Sequence, residues 1–95
     1  MSRVVVVVFV MQGCGHCHDF APIVRQAQQR HPSIPVYFVD AAAKDAWSQQ
    51  LADRHGVEAT PTTLLLRNPT GFIKVEGIMS AAELEQLMQV AEAHK

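Results

Sequence analysis

Val4 to Val10 is an unbroken run of seven β-branched or aromatic residues. A strand with one wet face alternates apolar with polar residues, so a run of this kind reads as a strand buried on both faces. It is far too short to span a bilayer, which takes about 20 apolar residues in a helix. Four residues after it stands Cys14-Gly15-His16-Cys17, and Thr60-Pro61 follows with Pro61 44 positions beyond Cys17.

A strand that hands the chain to a helix beginning at Cys14 places one sulfur among the unpaired amide donors and the positive end of that helix. There a thiolate is stabilised and the pKa of Cys14 is expected to fall. Cys17, three positions on, shares the helical face and can attack a mixed disulfide formed at Cys14. The pattern therefore points to thiol–disulfide exchange. A purely structural staple is the other reading, but by the chain-entropy model so small a loop contributes only about 2 kcal/mol, against roughly 4.7 for a 100-residue loop.

Ninety-five residues, 48% of them hydrophobic, suit one domain spanning 1–95 with a small core. A formal net charge of −1 shows no basic bias and argues against nucleic acid as a ligand. Two cysteines make neither a disulfide scaffold nor a four-cysteine zinc cage. Met1-Ser2-Arg3, the apolar run and Met11-Gln12-Gly13-Cys14 faintly imitate a lipoprotein signal. Processing before Cys14 would delete the valine strand, so the chain is read as soluble, without a targeting segment, not membrane-bound, and cytoplasmic.

Further along, apolar periodicity alternates between strand and helix, as in an α/β domain. Residues 3 to 10 are the first strand. From about Cys14 to Arg30 the pattern is helical, with Cys17, Phe20, Ala21, Val24 and Ala27 on one face; Pro22 within it is expected to kink the helix. A strand from Ile34 to Val39 ends at Asp40, and a helix over 43 to 55 carries Ala46, Trp47 and Leu51, with Gly56 as its left-handed cap. Thr62 to Leu66 and Phe72 to Glu76 pair as a hairpin across Asn68-Pro69-Thr70-Gly71. Ser80 with Glu83 is a capping box opening a last helix that turns Leu84, Leu87, Met88 and Ala91 inward. The order is βαβαββα: a four-stranded mixed sheet flanked by helices.

That order, with Cys14-Gly15-His16-Cys17 at the first strand–helix junction and Thr60-Pro61 before the third strand, resembles the thioredoxin superfamily over nearly the whole chain. Phe9, Pro22, Asp40, Gly71 and Gly77 extend the match, and the Cys-Gly-His-Cys tetrapeptide is the one found in protein disulfide isomerase domains. The resemblance implies a cis bond before Pro61, Thr60 pairing with a substrate backbone, and a substrate groove that takes in Thr60, Pro61, Gly13 and Gly77. It implies protein thiols and disulfides as substrates, a recycling reductase or oxidase as partner, a monomer, and no cofactor, because the disulfide itself carries the two electrons.

Departures from the family are equally specific. Where thioredoxins carry a buried aspartate and disulfide isomerase domains a glutamate, this chain has Val8, and Gly13 stands in place of the usual tryptophan before the first cysteine. The first strand and helix of full thioredoxins are missing, and the glutathione contacts of glutaredoxins are absent. Without the carboxylate, Cys17 must lose its proton to water, to a histidine or to the departing substrate thiolate. His16, between the cysteines, is expected to stabilise the Cys14 thiolate and so make the disulfide more oxidising than that of ordinary thioredoxin.

Two other classes remain. Cys14, His16, Cys17 and His18 have the donor types of a zinc or copper(I) site, but four ligands within five residues are too crowded to surround one ion. Domains of this kind also serve as non-catalytic interaction subunits. Trp47, Met11, Met79 and Met88 are read as packing, and His31, His55 and His94 as helix-end cations.

Overall fold

A computed structural model describes residues 3–68 and 71–95. Seven elements follow in order: β1 (Val4–Val10), α1 (Gly15–Arg30), β2 (Val36–Asp40), α2 (Ala46–Arg54), β3 (Thr62–Arg67), β4 (Gly71–Glu76) and α3 (Ala81–His94). The strands form one sheet in the order β2-β1-β3-β4. β1 is parallel to β2 and antiparallel to β3, and β3 is antiparallel to β4. This is the thioredoxin-like α/β architecture that the sequence suggests. Pro69 and Thr70 of the expected hairpin turn lie outside the described residues, as do Met1 and Ser2 of the signal-like stretch.

The valine run is explained by its place in the sheet. Val4, Val6 and Val8 face the larger core, with Phe20 and Val24 of α1 and Leu84 and Met88 of α3. Val7 and Phe9 face a smaller one with Val39 and Leu64, closed by Leu51 and Ala52 of α2. Side chains alternate across a strand, so burial on both sides leaves no position for a polar residue. The ends of α1 and α3 are tied at the surface by Glu85, which meets Arg30 at 3.3 Å and His31 at 2.8 Å, and by Ser33 donating to Glu92 at 2.7 Å.

Several expectations need correction. α2 begins at Ala46 rather than 43, because Asp45 caps it by accepting from the Ser48 N–H at 2.9 Å. Asp40 to Ala43 instead form a turn in which Ala43 donates to the Asp40 carbonyl. β2 starts at Val36, not Ile34: Pro35 has no N–H for a ladder, while the Ile34 N–H is spent on the His31 carbonyl. Ile34 is nonetheless buried in the larger core. Trp47 and Met11 are not packing residues. Trp47 is 58% exposed, because α2 turns Ser48, Leu51 and Ala52 toward the sheet, and Met11, just past the end of β1, is 44% exposed. Met79 and Met88 are buried as expected. α1 runs through Pro22 as one helix, with Pro22 exposed. The capping box of α3 is present in both halves, Ser80 and Glu83 each accepting from the other's N–H.

Stability should fall in two stages on acidification. Burial, reinforced by Arg54 and Lys74, holds part-buried His55 below its ordinary value of 6.5. Accepted hydrogen bonds hold four carboxyls below theirs: Glu83 through Ser80, Glu85 through His31, Glu92 through Ser33 and Asp45 through Ser48. In each case the unfolded chain takes up its proton at a higher pH than the folded one, so the stabilisation is complete above the unfolded value and drains away as pH falls. Urea midpoints should be flat above about pH 6.5, decline gently below it, and decline again below about pH 4.5. A midpoint that rises on acidification would contradict this assignment.

Candidate redox site

The site is built where β1 ends. Met11 to Cys14 form a turn closed by the Cys14 N–H on the Met11 carbonyl at 3.2 Å, with Gly13 at φ +82, a conformation a side chain rarely tolerates. Cys14 is the N-cap of α1: its backbone is extended and its Sγ accepts from the Cys17 N–H at 3.2 Å. The sulfur thus takes the place that Ser or Asp usually holds at a helix start, and sees an amide donor and the positive helix end together. Cys17, one turn on, is 6% exposed, whereas Cys14 is only part-buried. The two are joined as a disulfide, with Cα atoms 5.2 Å apart. Gly15 opens the helix, and His16 is exposed beside the pair.

A second strand brings the other half. The Thr60–Pro61 peptide is cis, and the Thr60 carbonyl oxygen lies 3.6 Å from Cys14 Sγ. In the disulfide that sulfur has no proton, so the approach is van der Waals contact. Reduction would supply a thiol able to donate to the same oxygen. The two neighbours then act in opposite senses: the Cys17 N–H favours a thiolate at Cys14, the Thr60 carbonyl a thiol. Pro61 is buried, and its carbonyl accepts from the Gly77 N–H at 2.8 Å. Thr62 Oγ1 closes the loop from within by donating to the Ala59 carbonyl at 2.6 Å. Cys14, Thr60, Pro61 and Gly77 are therefore linked contact by contact, although 63 positions separate the first from the last. Gly13 is exposed in the turn just before Cys14 and lines the open cleft against both cysteines.

With fold and site in place, the family can be decided. The sequence model of the thioredoxin family, described as "Thioredoxin", matches residues 1–90. The chain belongs to the thioredoxin family. It is 33% identical over 76 residues to a disulfide bond formation protein of Brevibacillus choshinensis, covering 80% of this chain and 63% of that protein. It is 31% identical over 81 residues to thioredoxin-1 of Saccharomyces cerevisiae, covering 85% of this chain and 75% of that one. Among solved structures, Fasciola hepatica thioredoxin superposes with a TM-score of 0.73 at 27% identity, over 98% of this chain and 82% of that chain.

Within this thioredoxin-family chain, the core-facing position six residues before Cys14 is apolar. Val8 is fully buried and pairs with Phe38 on one side and Thr63 on the other. Thr63 lies directly opposite Val8 on the same face of the sheet, and its buried Oγ1 has no hydrogen-bond partner. The sequence reading passed over it. A polar residue inside an otherwise leucine-rich strand was the available signal. Also missed was an open cleft of about 400 Å³ against both cysteines, whose walls include Met11, His18, Arg25 and Phe38. Exposure of Phe38 follows from the edge position of β2, which only the sheet order reveals. Among the described residues, no group of three or more His, Cys, Asp or Glu side chains is placed to hold a metal ion, and no helix is long and apolar enough to cross a membrane.

The unequal exposure of the cysteines predicts the order in which they react. After full reduction, a limiting amount of iodoacetamide at neutral pH should label Cys14 well before Cys17, as read by peptide mass. Equal labelling, or Cys17 first, would mean that the helix-start geometry does not govern reactivity.

Proposed function

We propose that this protein is a thiol–disulfide oxidoreductase acting on cysteines of other proteins, with Cys14 as nucleophile and Cys17 as resolving cysteine. In the reducing direction, the Cys14 thiolate attacks one sulfur of a substrate disulfide, forming a mixed disulfide and releasing the other substrate sulfur as a thiolate. Cys17 then attacks the Cys14 sulfur, the Cys14–Cys17 disulfide forms, and the second substrate sulfur leaves. Two electrons pass from the protein dithiol to the substrate, and the protons of the consumed thiols end on the substrate sulfurs. The oxidising direction is the same sequence reversed.

The observation that supports this reading most is the placement of Cys14. Its sulfur caps α1 beside the Cys17 N–H, is partly open to solvent, and touches the Thr60 carbonyl, whereas its partner is buried. In the proposal an extended substrate segment lies along Thr60 and Pro61, with Gly13 and Gly77 leaving the groove free of side chains. With Val8 in place of a carboxylate, the Cys17 proton goes to water, to a histidine or to the departing thiolate. His16 raises the oxidising power of the pair by favouring the reduced form. The protein works as a monomer in the cytoplasm and is returned to its starting state by a separate reductase or oxidase.

The test is a trapping experiment with insulin as the disulfide substrate. Cys17→Ser should accumulate a covalent mixed disulfide through Cys14 that dithiothreitol releases, and Cys14→Ser should form none and lose all turnover above the uncatalysed rate. Turnover retained in Cys14→Ser would overturn the assignment.

A further inference from the structure

At the end of the sheet remote from the cysteines, Arg3, Arg54 and Arg67 line one open cleft of about 550 Å³, a size typical of small-molecule sites. The three come from distant parts of the chain: just before β1, the end of α2 and the end of β3. The chain has 8 lysines and arginines against 9 aspartates and glutamates. Yet three of those cations line this cleft, Arg67 from the face of the sheet it shares with Val4, and none of the acids does. Among the described residues, the ion pairs join Arg30 and His31 to Glu85, Lys74 to Glu76 and Lys95 to Glu92, so all three cleft arginines lack a carboxylate partner.

Leu51 and Phe72 are among the apolar residues of the remaining wall, which His55 and Asn68 also line. Phe72 is 52% exposed and meets the His55 ring edge to face, centroids 4.6 Å apart. His55 Nδ1 is buried without a hydrogen-bond partner. Burial first, and then the charges of Arg54 and Lys74, hold the His55 pKa down. Guanidinium groups pair with phosphate through two parallel N–H bonds, and several converging without counter-ions repel one another until an anion arrives.

We propose that this cleft binds an organic phosphate, its phosphoryl oxygens held by Arg3 and Arg54, with the charge of Arg67 at the rim, and its apolar or aromatic body resting on Phe72 and Leu51. The site lies at the start of β1, and the cysteines follow its far end. A seven-residue strand separates them by about 20 Å at roughly 3.3 Å per residue. Binding and disulfide exchange can therefore be tested apart.

Phenyl phosphate, inorganic phosphate and phenol would be titrated into the oxidised protein, with backbone amide shifts recorded by NMR. Phenyl phosphate should produce saturable shifts centred on Arg3, Arg54, His55, Arg67 and Phe72, tighter than inorganic phosphate, with none from phenol at the same concentrations. Added salt should weaken the effect. The double variant Arg3→Gln, Arg54→Gln should bind phenyl phosphate at least about tenfold more weakly, with insulin reduction and the urea midpoint near those of the parent. No saturable shift, shifts scattered over the surface, shifts centred on Cys14, or undiminished binding in the double variant would each overturn the proposal. None of these outcomes bears on the exchange reaction, which is read separately by turnover.

Discussion

Burial of β1 on both faces is the constraint from which the rest of the structure follows. Val4, Val6 and Val8 need one apolar layer and Val7 and Phe9 another, so the chain must place helices on both sides of its central strand. At roughly 1.5 to 3 kcal/mol for each fully buried valine or phenylalanine, these residues outweigh any single surface contact. β2 and β3 then occupy both edges of β1, fixing its register, and the residue that leaves the strand can arrive only at the start of α1. Cys14 is that arrival point. The same register aligns Phe9 with Thr62, which brings the loop before β3, with Thr60 and Pro61, beside the cysteines.

Burial also sets the chemistry that the site lacks. Val8, six residues before Cys14 and fully buried in the larger core, contributes to packing and nothing to proton transfer. What stabilises charge at this site lies on the outside instead, in the Cys17 amide and the helix end, with the role proposed for His16 added to them. The mechanism proposed above accordingly gives the nucleophile its assistance from backbone, and leaves the resolving cysteine to groups reached through solvent or through the departing substrate. The unpartnered Thr63 hydroxyl is the nearest polar group across the sheet from Val8.

Much of this was legible before the structure, because it is encoded locally. The unbroken valine run, the cysteine spacing, the Thr60-Pro61 pair and the Ser80–Glu83 box each carry their meaning within a few residues, and all four appear where expected. The start of α2 was misplaced because helix-favouring alanines at 41 to 43 precede the residue that caps it, Asp45. Trp47 was misread because the buried stripe of α2 runs through Ser48, Leu51 and Ala52, which leaves Trp47 outside it. Exposure of Phe38 depends on which strand ends the sheet, and the arginine cleft on three segments far apart in sequence. No local pattern carries either.

The account turns on whether Cys14 and Cys17 form a reversible couple tuned from the outside. Equilibrating the protein in graded glutathione buffers, quenching with an alkylating agent and counting labels by mass measures this directly. A potential near that of protein disulfide isomerase, about −180 mV, is the predicted result. A value at or below that of thioredoxin, about −270 mV, would contradict the role given to His16, and a pair that does not cycle would contradict the exchange reaction itself.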